Sequence, residues 1–143
     1  MSGIEAAGLL LGALPILFAA VDFSKDGIRR TGAAFRKRKY VEKLARALLL
    51  QQQILEETVK SVIIASGCED IWRLDDDPLG YLKDESVREE VLDYLGAKND
   101  AAFTGALEQS NDIVKKIAKN IAGLVPVYKV YIAYLIEENL PWG

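Results

Sequence analysis

The sequence predicts an all-α protein: a single helical bundle of about five or six helices, with one long central helix and an apolar N-terminal helix. Three observations predict it. Apolar residues recur at spacings of three and four in every long segment, and none shows the strict alternation of a half-buried strand. Glycine, proline and aspartate gather at a few points that read as helix ends. At 143 residues the chain is one domain, residues 1–143, large enough to bury a proper core.

The first helix is expected over residues 1–22, bending near Pro15, which cannot donate to the turn before it. Residues 24–32, with two glycines and several polar side chains, read as a break. The long helix follows over residues 33–66, with Val41, Leu44, Leu48, Leu55, Val59 and Val62 as its apolar stripe. Gly67 is its natural stop. Of Gln51, Gln52 and Gln53, the expectation is that two face solvent and one sits in the core. In this reading the long helix packs against the first and the fifth.

Residues 69–74 make one or two turns, and Asp75, Asp76, Asp77 and Pro78 form an acidic turn. The alternating acidic pattern, central glycine and terminal glutamate of a calcium loop are absent. A short helix spans residues 84–95, with Val87, Val91 and Leu95 on one face. Ser86 and Glu89 have capping-box spacing, and Gly96 closes the helix. Asn99 or Asp100 then caps a helix over residues 99–122 with the stripe Phe103, Leu107, Ile113, Ile117, Ile121 and Leu124. Lys115, Lys116 and Lys119 are placed to complement its dipole. The last segment, residues 126–139, has strand-forming residues as well as a helical face of Val127, Val130, Tyr131, Tyr134 and Leu135. A packed terminal helix is the first reading, with Tyr128, Tyr131 and Tyr134 at its rim.

Charge is placed unevenly. Residues 6–21 carry no charged side chain, and Glu5 is the only one before Asp22. A basic block follows: Lys25, Arg29, Arg30, Arg36, Lys37, Arg38, Lys39, Lys43 and Arg46, half of the 18 lysines and arginines in a chain of net charge −3. An apolar helix followed directly by cations suits entry into a membrane with an anionic face. The uncharged run is slightly short of the roughly 20 residues that span a bilayer. A secretory signal fits poorly, because the cations follow the apolar run and Phe18 stands where cleavage wants a small residue.

There is no histidine and one cysteine, Cys68. Disulfide frameworks within one chain, the usual zinc sites and nucleophile–histidine catalysis are thereby excluded. No catalytic, cofactor or metal residue is assigned, and no enzymatic activity is expected. Acidic balance and few aromatics among the cations argue against nucleic acid.

Several stretches resemble a known family. Gly12-Ala13-Leu14-Pro15 stands within the apolar start, and Phe35-Arg36-Lys37-Arg38-Lys39-Tyr40 opens the basic helix. The Leu/Gln-rich helix, Leu79-Gly80 and residues 94–103 (YLGAKNDAAF) are also similar. Over most of residues 1 to about 120 the chain resembles the HeLo and HeLo-like domains of fungal cell-death and prion-associated proteins. The resemblance implies a non-enzymatic bundle, acting in programmed cell death or heterokaryon incompatibility, that releases its first helix, oligomerises and damages the plasma membrane. Leu9, Leu10, Leu11, Leu14, Pro15, Ile16, Leu17 and Phe18 would be the insertion segment. Arg29, Arg30, Arg36, Lys37, Arg38 and Lys39 would meet anionic lipid or an acidic partner. The expected partners are anionic membrane lipids, further copies of the chain and an upstream signalling protein, with cytoplasmic residence and recruitment to the plasma membrane. The chain departs from the family's amyloid-signalling members in that nothing after Asn120 matches a prion-forming segment. The alternative is a soluble adaptor whose first helix never leaves the core.

Overall fold

The computed structural model describes residues 3–31, 35–67, 80, 84–124 and 129–142. Among them the architecture is all helical: α1 (Gly3–Thr31), α2 (Phe35–Ala65), α3 (Glu85–Leu124) and α4 (Lys129–Tyr134), continued by a π-helical turn (Leu135–Asn139). The expected fold class is what forms. The acidic turn at 75–78, the turns at 69–74, Cys68 and residues 126–128 lie outside the described residues.

α1 is longer than the sequence suggested. No break occurs at Ser24, which is buried and donates its hydroxyl to the Ala20 carbonyl at 2.9 Å. That local bond satisfies the serine inside a helix, so it need not end one. The helix also continues through Pro15, which lies on its exposed side. The three-residue connection to α2 makes the two helices pack antiparallel. α1 touches α2, α3 and the terminal π turn, and α2 packs against the first helix, as expected, and against α3.

The α2 stripe is buried at Val41, Leu44, Leu48, Leu55 and Val59, then at Ile63, with Val62 half-buried. Ile63 sits four residues beyond Val59, so it keeps the stripe's phase where Val62 lags it. Gln51 is buried in this stripe and Gln53 is exposed. Gly67 ends the helix as expected, with φ +85° and its N–H donating to the Ile64 carbonyl at 3.1 Å.

α3 joins the two expected helices across a kink at Gly96 (φ 38°, ψ −161°). Asn99 does not begin a new helix; its side-chain amide donates to the Tyr94 carbonyl at 2.9 Å and closes the segment before the kink. The start of α3 is held by Asp84, whose Oδ1 accepts from the Ser86 N–H at 3.0 Å and hydroxyl at 2.8 Å. The expected Ser86–Glu89 capping box is thus replaced by an aspartate two residues earlier. Beyond the kink, Phe103, Leu107, Val114, Ile117, Ala118 and Ile121 are buried, whereas Ile113 is exposed and Leu124 half-buried. Seven residues after Leu107 is Val114, which makes it the in-phase position. Because α3 runs to Leu124, its last turn holds no cation. Lys115, Lys116 and Lys119 therefore do not serve its dipole.

The terminal segment is helical, but its inward face differs from the expected one. Ile132, Leu135, Ile136 and Leu140 are buried, and Val130, Tyr131 and Tyr134 are exposed. The Leu140 N–H reaches back to the Leu135 carbonyl at 3.1 Å. This wider turn carries the buried face from Leu135 and Ile136 to Leu140.

Candidate functional site

The residues singled out on α1 divide by face. Leu10, Leu11, Leu14 and Leu17 are buried with Ile4, Ala7, Ala13, Ala20 and Val21 in the shared core. Leu9, Ile16 and Phe18 are half-buried, and Pro15 is exposed. The first helix is therefore a core helix of the folded state.

Its outward face is unusual. The exposed and half-exposed positions between Glu5 and Asp22 are Gly8, Leu9, Gly12, Pro15, Ile16, Phe18 and Ala19, none of them polar. A β-carbon at Gly8 or Gly12 would meet nothing within 4 Å. Soluble bundle helices normally set charged or polar residues opposite the core. Here the solvent side of four helical turns has small and apolar residues only. The uncharged run over residues 6–21 already implied such a face; the structure adds which of its residues lie outward.

Gly3–Asp26, 24 residues, is long and apolar enough to cross a membrane, and just over half of its most apolar window is buried. At about 1.5 Å per residue it matches a hydrocarbon core of roughly 30 Å. The continuation past Val21 adds length but brings in Asp22, Lys25 and Asp26, so the uncharged run itself stays at residues 6–21.

The basic block gathers where α1 ends and α2 begins. Arg29 and Arg30 lie in the last turns of α1, and Arg36 in the first turn of α2. Lys25, Lys37, Arg38, Lys39, Lys43 and Arg46 are exposed. The first turn of α2 holds no acidic residue. Cations there oppose the positive end of the helix dipole, at a cost of about 0.3–1 kcal/mol each at low salt. The arrangement puts positive charge on one end of the hairpin against local helix preference.

Comparison of the chain with protein-family models, with curated proteins and with solved structures returned no match. The reading of this site therefore rests on its residues. Among the described residues no group of acidic or cysteine side chains converges to hold a metal ion.

Proposed function

We propose that the chain is a membrane-targeting, inducible cell-death domain that disrupts an anionic bilayer by releasing α1 into it. The observation that supports this best is the uncharged outward face of α1. With the buried face equally apolar, the helix can leave a protein groove for lipid without desolvating a charge between Glu5 and Asp22.

The basic end supplies recruitment. Each lysine or arginine near an anionic surface contributes about 1 kcal/mol, so the exposed cluster brings the hairpin to the membrane before entry. Release in water is opposed strongly. It would expose Leu10, Leu14 and Leu17 of α1 itself, all fully buried, at about 1.5–3 kcal/mol each. Such a loss is comparable to the whole stability of a small domain, about 5–15 kcal/mol. Release therefore occurs at the bilayer, where acyl chains or a second copy cover the vacated groove. The resident state is cytoplasmic, and the membrane-bound state is oligomeric.

The complete burial of Leu10, Leu14 and Leu17 favours a second reading, the soluble adaptor in which α1 never moves and the basic end meets an acidic signalling partner. Removing residues 1–22 would not separate the two, because that deletion takes away part of the core. Gly12→Glu does separate them, since the added side chain points into open space. Dye release from vesicles containing anionic lipid is expected from the native chain and lost in Gly12→Glu, with the fold intact by circular dichroism. Equal release from both proteins overturns the insertion of α1. No binding and no release by the native chain leaves the adaptor.

A further inference from the structure

The C-terminal part of α3 and the terminal segment border an open cleft of about 640 Å³, within the roughly 300–1,000 Å³ of small-molecule sites. Its apolar side is formed by Ala122, Ile132 and Ile136, and Lys115, Lys119 and Lys129 also line it. Glu137 is the one acidic group among the described lining residues.

The sequence sets this up locally. Lys115, Lys119 and Ala122 are spaced four and three apart on one face of α3, and Ile132, Ile136 and Glu137 follow one another around α4 and its π turn. Like charges at i, i+4 repel. Among the described residues neither Lys119 nor Lys129 forms an ion pair with a carboxylate. The Lys115 ammonium lies 3.5 Å from the Trp142 carbonyl, a long contact that leaves further donors. A turn of π-helix beside a cleft is a frequent companion of binding sites.

We propose that this cleft binds a single-chain amphiphilic anion, a long-chain fatty-acid carboxylate, with its head among Lys115, Lys119 and Lys129 and its alkyl chain along Ala122, Ile132 and Ile136. The charge of the lining, three cations to one acid, selects an anion. The remaining described lining residues, aliphatic side chains and Gly123, offer no side-chain donor or acceptor to a sugar or a heterocycle. The site uses neither the outward face of α1 nor the basic block, so it stands apart from the membrane reading.

The test is titration of the full chain with carboxyl-¹³C dodecanoate below its micelle concentration, without vesicles, followed by NMR. Saturable one-to-one binding is expected. Lys119→Glu combined with Lys129→Glu should weaken it by about tenfold or more, as loss of charge-assisted contacts implies. Ala133→Trp, which fills the cleft, should abolish it while circular dichroism stays native. Acetate and dodecanol, each lacking one half of the ligand, should bind much more weakly. Absence of saturable binding, indifference to both variants, or dodecanol binding as tight as dodecanoate would each overturn the proposal. Gly12→Glu should bind dodecanoate normally, so failure of the bilayer reading and failure of this one are distinguishable.

Discussion

The backbone of Gly3 lies against the ring of Phe103: a β-carbon at Gly3 would stand 2.5 Å from Phe103 Cδ1 and 3.0 Å from Asp100 Oδ1. The first turn of α1 is thus seated on α3 just past the Gly96 kink, and only a residue without a side chain fits there. Gly3→Ala must shift the helix or the ring. Overpacking of this kind costs about 1–3 kcal/mol, and urea unfolding should show that loss. If α1 is the released segment, the same variant should leak vesicles at a lower protein concentration than the native chain.

Asn111 is fully buried, and among the described residues neither its Oδ1 nor its Nδ2 has a hydrogen-bond partner. Burying such groups unpaired costs about 1–3 kcal/mol. Asn111→Leu, similar in size, should raise the urea midpoint by a comparable amount. A midpoint that falls would show that the site cannot take the branched side chain.

Reversing Lys37 and Arg38 should move two properties in opposite directions. Lys37→Glu with Arg38→Glu puts acids in the first turn of α2, where they gain about 0.3–1 kcal/mol each at low salt. Thermal stability should hold or rise, while co-sedimentation with anionic vesicles falls by about tenfold or more. Loss of both together would mean that the cations hold the fold and not a surface.

At the start of α3, Asp84→Ala removes both bonds to Ser86 and should cost about 0.5–2 kcal/mol. Glu89→Ala should be nearly neutral, since the cap is Asp84. Chemical denaturation of the two single variants decides between aspartate cap and capping box.

Much of the fold was legible in the spacing of apolar residues. The helical class, the α2 stripe, the end at Gly67 and the interruption at Gly96 were all readable, because glycine marks such points directly. Choices between adjacent residues were not. Val62 against Ile63, Ile113 against Val114, and Val130 with Tyr131 against Ile132 depend on a phase shift of one residue that a short apolar window does not fix. The length of α1 was hidden because Ser24 reads as a helix breaker until its bond to Ala20 is seen. The candidate site was legible as composition, an apolar run beside a basic block. The uncharged outward face follows from the same run, which has no polar side chain on any side; which of its leucines are buried depends on what the rest of the bundle covers.

In this molecule the segment proposed to act is also the segment that the other helices are built around, since α1 touches α2, α3 and the terminal turn. A protein that spends its keystone to do its work has no way back to its starting state without the bilayer giving the helix up. It would behave as ammunition and not as a catalyst. Damage would scale with the number of molecules committed, and a cell would control it by how much of the chain it makes.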